Sequence, residues 1–329
     1  MMNITRCSCD PHHSTTFLKK IQSGHITSDV GCVHCTNKNG DNPMLLAARH
    51  GHLELLRTLH EQYGLHLECS NSDRKRPLHE AAQNGHVECA RCLIEQGAEV
   101  DSLKRADWTP LMLACTKDSV AMVELLINKG ASVALRNKDG WNPFHLACRE
   151  GHVDILTQLY NCDHTCCTTV SKNKRTPLHT AALHGHEAAV DLLIERCGCD
   201  TTIRDSCGAT PLMDAARANH ASVVNLLVNK FQVDMTVEDI LGRQPLHIAS
   251  QAGATDTVAL LVKLGASPNQ RAGSSLTPLH YAVKEGHVEV VKVLLQHGAD
   301  LSLKDEQNRT AFDFAETAGM REFLRTRTN

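Results

Sequence analysis

Arg175-Thr-Pro-Leu-His-Thr-Ala-Ala-Leu-His-Gly-His186 decides the fold. Thr176 is a helix cap, because its hydroxyl accepts from an orphan amide of the first turn. Pro177 takes the first helical position, where a missing N–H costs nothing. Leu178, Ala181 and Ala182 fall three and four residues apart and share one face. Two alanines on that face let another helix come close. Gly185 suits the left-handed residue after a helix end. A second apolar run follows at once, Ala188-Ala-Val-Asp-Leu-Leu-Ile194. The unit is helix, tight turn, helix, and such a pair cannot bury both faces alone.

The unit recurs. Its proline is Pro43, Pro77, Pro110, Pro143, Pro177, Pro211, Pro245 and Pro278, spaced by 33 or 34 residues. A ninth copy, Arg309-Thr-Ala-Phe-Asp-Phe-Ala315, keeps the frame without the proline. With Arg76-Pro-Leu-His-Glu-Ala-Ala82 and Leu294-Leu-Gln-His-Gly-Ala-Asp300, the pattern resembles the ankyrin repeat family from about residue 39 onward. The resemblance implies an all-α ankyrin-repeat solenoid of helix–turn–helix units joined by β-hairpin fingers, with protein binding as its default function.

Length would ordinarily suggest two domains for 329 residues, but the period points to one elongated stack. A net charge of −3 gives no global pull towards nucleic acid or anionic membrane. No apolar run approaches the roughly 18 residues of a membrane span, and the first residues lack a signal-peptide core. Fifteen cysteines in an unsecreted chain are expected as reduced thiols. The expectation is a monomer in the cytoplasm and also the nucleus.

Residues 1–38 read as a degenerate N-terminal cap, with Phe17-Leu-Lys-Lys-Ile-Gln-Ser-Gly-His25 echoing a first helix. Residues 39–329 hold nine repeats. The last is truncated and acts as a C-terminal cap made polar by Arg321, Arg325 and Arg327. Gly140 and Gly242 stand where the connecting turn needs positive φ. Arg74, Asp107, Lys174 and Ser275 occupy that place in other repeats, so those turns are less ideal. Repeat four ends in Asn161-Cys-Asp-His-Thr-Cys-Cys167, which predicts a longer or looser connection.

Of 21 histidines, His79, His145, His179, His247 and His280 follow the repeat leucine. His52, His86, His152, His186 and His287 follow the turn glycine. Their regularity assigns them to structure, and none has a zincin or triad context. At the N-terminus, Cys7, Cys9, His12, His13, Cys32, His34 and Cys35 have partial zinc-knuckle spacing, too weak for a metal assignment. No catalytic motif or cofactor signature appears, so no enzyme activity is expected.

The finger tips carry the functional signal. Asp73-Arg-Lys-Arg76, Lys104-Arg-Ala-Asp-Trp108, Arg136-Asn-Lys-Asp-Gly-Trp141 and Ser171-Lys-Asn-Lys-Arg175 hold ten basic residues against three acidic ones. Trp108 and Trp141 are at one repeat position, and an exposed tryptophan beside arginine is hot-spot chemistry. The expected partner surface is Arg74, Lys75, Arg76, Arg105, Trp108, Arg136, Trp141 and Arg175. RNA, through phosphate contacts and stacking, is a weaker reading without a recognisable module.

The fingers Lys104-Arg-Ala-Asp-Trp-Thr-Pro-Leu111 and Asn137-Lys-Asp-Gly-Trp141, with Leu279-His-Tyr-Ala-Val-Lys-Glu-Gly-His287, resemble one branch of the family, best over residues 65–315. That branch serves as a cofactor of alanyl-tRNA synthetase. The resemblance implies binding to the synthetase's aminoacylation domain and capture of misactivated serine on the cofactor's own lysines. Lys104, Lys138, Lys172 and Lys174 are then the serine-acceptor candidates. Arg105 and Arg136 are placed to lower the pKa of Lys104 and Lys138. The alternative is a generic adaptor for another protein, bound on the tips and on a concave face lined by Glu80, Gln83, Asn84, Arg149, Glu150, Leu183 and His184.

Overall fold

The computed structural model describes residues 18–21 and 33–326. Most of the expected N-terminal cap and Arg327 lie outside the described residues, as do Cys7, Cys9, His12, His13 and Cys32; His34 is exposed and Cys35 buried. The chain divides into two compact units, Met1–Ala147 with Asp154–Cys166, and Cys148–Val153 with Cys167–Asn329.

In the first unit the inner helices Pro43–His50, Pro77–Gln83 and Pro110–Ala114 stack on one another. The outer helices Leu53–Glu61, Val87–Glu95 and Val120–Asn128 do the same. In the second unit the inner row is Pro177–Leu183, Pro211–Arg217, Pro245–Ala252, Pro278–Lys284 and the 3-10 turn Ala311–Phe314. Its outer row is Glu187–Glu195, Ala221–Asn225, Thr255–Lys263 and Val288–Gln296. The fourth repeat supplies Pro143–Glu150 and Val153–Cys162. Among the described residues no helix is long and apolar enough to cross a membrane.

The repeat motif explains the inner rows. Thr109 Oγ1 accepts from Met112 N (3.2 Å), and Asn42 Oδ1 from Leu45 N (3.0 Å), so each cap stops one orphan amide from going unpaired. The alanine pairs Ala47/Ala48, Ala81/Ala82, Ala181/Ala182 and Ala215/Ala216 are fully buried, which is what brings the inner helices into contact. Gly185 has φ 76°, and a Cβ there would stand 2.4 Å from Nδ1 of His220 in the next repeat. That glycine is needed both for its backbone and for the ring stacked against it.

Three details refine or depart from expectation. The connection after repeat four is longer but closed, running through a 3-10 turn His164–Thr168. Asp163 Oδ1 accepts there from Thr165 N (2.8 Å) and from its hydroxyl, and the Tyr160 and His164 rings stack at 4.5 Å. Repeat nine shortens in its first helix, which is only Ala311–Phe314, and keeps its second, Ala318–Arg325. Without the proline, Asp313 Oδ2 takes the cap N–H of Thr310 at 2.7 Å. The fingers are tight tips rather than extended hairpins: among the described residues only the isolated bridges Lys104–Trp108 and Lys304–Thr310 occur.

Candidate functional site

Each tip is closed by one backbone bond across four residues. Asn71 N donates to Lys75 O, Lys104 N to Trp108 O and Asn137 N to Trp141 O in the first unit. Ser171 N to Arg175 O, Asp205 N to Ala209 O and Asp239 N to Arg243 O repeat it in the second. Successive tips are then pinned together by a second rule. Arg105 N donates to Asp73 O (2.9 Å) and Lys138 N to Ala106 O (3.0 Å), and Ser206 N donates to Asn173 O (2.9 Å). The tips of repeats two, three and four therefore stand side by side in the first unit. The tip of repeat five belongs to the second unit and pairs with that of repeat six.

The fourth tip residue is left-handed throughout. Gly140 and Gly242 are there, but so are Arg74 (φ 58°), Asp107 (φ 61°), Lys174 (φ 57°) and Ser275 (φ 59°). In most tips the first residue relieves the turn: Asn71 Oδ1 accepts from Asp73 N and Lys75 N, and Asn137 Oδ1 from Asp139 N and Trp141 N, each near 3 Å. Lys104 and Ala272 offer no such acceptor. Their tips instead put two consecutive residues at positive φ, Ala106/Asp107 and Ser274/Ser275. Lys104 thus sits on a strained tip.

Lys104 is half-buried, with its Nζ 5.3 Å from the centre of the Trp108 ring. Burial lowers its pKa, and the nearby Lys75 lowers it further, while Asp73 and Glu80 act in the opposite sense. Arg105, expected to tune this amine, is not a cause of the shift. Its side chain is 77% exposed and points to Asp73 at 3.5 Å. Lys75 is held in place by Gln83 Oε1 (2.6 Å) and Glu80 (3.5 Å). Trp108 and Trp141, expected to be exposed, are half-buried. Trp108 lies under Lys104 while its carbonyl meets His79 Nε2 at 3.1 Å, and Trp141 stacks on His145 at 6.1 Å.

The remaining candidates separate into two kinds. Arg74, Arg136, Lys138, Lys172 and Lys174 have exposed side chains on their tips. Arg76 and Arg175 are tied into ion pairs, Arg76 with Glu68 and Glu99, and Arg175 with the buried Asp214. Their charge is largely spent inside the fold. Of the concave-face residues, Glu80 is 1% exposed, because Arg49 holds both of its oxygens (3.0 and 2.8 Å); it is a buried tie and not a contact residue. Nothing local in the sequence marks Arg49, which approaches from the repeat before.

The repeat histidines are structural bridges. Nδ1 of His79, His179 and His247 accepts from the cap N–H of its own helix, 3.2 Å in each. Nε2 meets a carbonyl of the next finger: Trp108, Ala209 and Gln270. Burial pushes all three rings down to about 4, so they are neutral at physiological pH. The second set ties backward. His86 Nε2 meets Arg49 O (2.9 Å), and His186 Nε2 meets Arg149 O (2.7 Å).

A family model of ankyrin repeats in three copies matches residues 12–104, 101–169, 157–239, 178–272, 230–305 and 246–326. These matches run along nearly all of the chain, which belongs to the ankyrin repeat family. Ankyrin repeats imply a protein-binding domain.

Proposed function

We propose that this ankyrin chain is a cofactor of alanyl-tRNA synthetase, a counterpart of ankyrin repeat domain-containing protein 16. In this reading it binds the aminoacylation domain through its finger tips and accepts misactivated serine on lysine before the serine reaches tRNA. The observation that carries the reading is Lys104: a half-buried amine with a lowered pKa, seated against Trp108 and flanked by Lys75. Seryl-adenylate is a mixed anhydride. A neutral lysine amine attacks its carbonyl carbon, an amide forms, AMP leaves, and the amine's proton passes to solvent.

Protonation limits this step. At a reference pKa of about 10.4, roughly one lysine in a thousand is neutral near pH 7.4, and each unit of depression raises that fraction tenfold. Lys138, Lys172 and Lys174 are the further acceptors of the proposal, exposed where an adenylate can reach them. The capture is stoichiometric, so the chain turns nothing over.

The test is mass spectrometry of the chain after incubation with alanyl-tRNA synthetase, ATP and serine. A seryl amide on Lys104, lost in Lys104→Arg, is the expected result; adducts confined to lysines outside the tips would overturn the assignment. Calorimetric titration of the synthetase with the chain and with a Trp108→Ala/Trp141→Ala double variant tests the surface. Binding lost in the variant is expected. Binding unchanged in the variant moves the interface off the tips, and no binding by the intact chain leaves a scaffold for another protein.

A further inference from the structure

The cysteines of the second unit are not scattered. Repeat four closes on Cys167, and repeat five closes on Cys197-Gly-Cys199, where four of the repeats carry Gly-Ala. The stack brings these two closures together. Cys199 Sγ lies 3.8 Å from Cys167 O, and Cys167 Sγ lies 3.9 Å from Cys197 O. The Cys167, Cys197 and Cys148 thiols all act on the Cys199 thiol. All are thiols in the structure, with no disulfide among them. Cys167 is 3% exposed and Cys199 half-buried, so solvent reaches the pair from the Cys199 side.

We propose that Cys167 and Cys199 are a thiol pair that hydrogen peroxide closes into a disulfide around the fifth repeat. The Cys199 thiolate attacks one peroxide oxygen; an S–O bond forms, the O–O bond breaks, and hydroxide leaves and is protonated. The Cys167 sulfur then attacks the sulfenic sulfur, the S–S bond forms, and the second water leaves. Two thiols and one peroxide give one disulfide and two waters.

The two cysteines are 32 positions apart, and the chain between them holds helices Pro177–Leu183 and Glu187–Glu195 and the tip with Lys172 and Lys174. A repeat touches only its neighbours and opens locally. Closing its ends covalently removes conformations from the opened state. The proximity of the Cys167 thiol, with burial, pushes the Cys199 thiol well above its usual range. Thiolate is therefore scarce at neutral pH, and closure accelerates as pH rises.

The experiment treats the full chain with hydrogen peroxide, blocks remaining thiols with iodoacetamide and maps peptides by mass spectrometry without reductant. A Cys167–Cys199 linked peptide that disappears with dithiothreitol is expected. The oxidised chain should also gain about 5 °C in Tm, and Cys199→Ser should lose both effects. Linkage through Cys197, links only between chains, or sulfinic acid at Cys199 without a link would each overturn the proposal. The wild-type peptide map decides it even if a cysteine variant fails to fold, and the exposed Cys207 serves as the internal control for peroxide dose.

Discussion

Glu80 and Asp214 occupy the same place in repeats two and six, three residues after the proline, and both carboxylates are buried. Their surroundings differ. Arg49 reaches Glu80 from the preceding inner helix and binds both oxygens, and Lys75 adds a third contact at 3.5 Å. Asp214 has Arg175 on one oxygen only. Its Oδ1 has no hydrogen-bond partner, and Arg217 stops 3.9 Å away. Burial accordingly raises the Asp214 carboxyl to about 6 against the pull of Arg175. The position occupied by Arg49 in repeat one is Leu183 in repeat five, so the clamp has no counterpart there. A carboxylate at this position is a firm tie only when the repeat before supplies the guanidinium.

Acid is expected to give the largest effect, and it sets the two kinds of buried group against each other. His79, His179 and His247 have folded pKa values of about 4 against about 6.5 unfolded. The unfolded chain binds protons that the fold refuses, so stability is lost as pH falls from about 6.5 towards 4, on the order of 3 kcal/mol per ring at most. Asp214 acts in reverse. Its raised pKa favours the fold at low pH and costs up to about 3 kcal/mol as pH climbs through 4 to 6. Urea unfolding across pH 4–7, for wild type and Asp214→Leu, should show a steeper acid loss in the variant. Parallel curves would remove Asp214 from the account.

Next in size is the clamp itself. Arg49→Ala should cost about 3–5 kcal/mol by leaving Glu80 buried with only Lys75. Arg175→Ala should cost about 1–2 kcal/mol, since the Asp214 carboxyl near 6 can be protonated at modest expense. Equal losses in denaturant titrations would break the comparison. Replacing the carboxylates sharpens it: Asp214→Leu, matching Leu46 and Leu113 at this position, should be neutral or stabilising by about 1–2 kcal/mol, and Glu80→Leu destabilising by about 2 kcal/mol. The smallest effect belongs to the tips. Ser275 holds φ 59° beside Ser274 at the same value, so Ser275→Gly should stabilise by about 1 kcal/mol; a loss of Tm would show that the tip is not strained.

Much of this is legible in the sequence. The proline period, the Thr caps and the turn glycines are local signals, and each dictates its own few residues. Arg74, Asp107, Lys174 and Ser275 were readable as residues in a glycine's place, and all four have positive φ. Contacts between repeats were not. The half-burial of Trp108 and the approach of Lys75 to Lys104 depend on how one finger lies on the next, and Arg105, the nearer neighbour in sequence, turned out to face Asp73.

By itself the amino-acid sequence determined that this chain is a row of ankyrin units, because period, caps and turns act within a few residues and need no partner. The tertiary structure decided which polar groups are spent and which are offered. Glu80, Arg76 and Arg175 are consumed in ties, Lys104 is half-sheltered, and Cys167 meets Cys199. The reason is distance: such pairs lie about one repeat apart in the chain, and only stacking brings them within reach of a hydrogen bond or an ion pair.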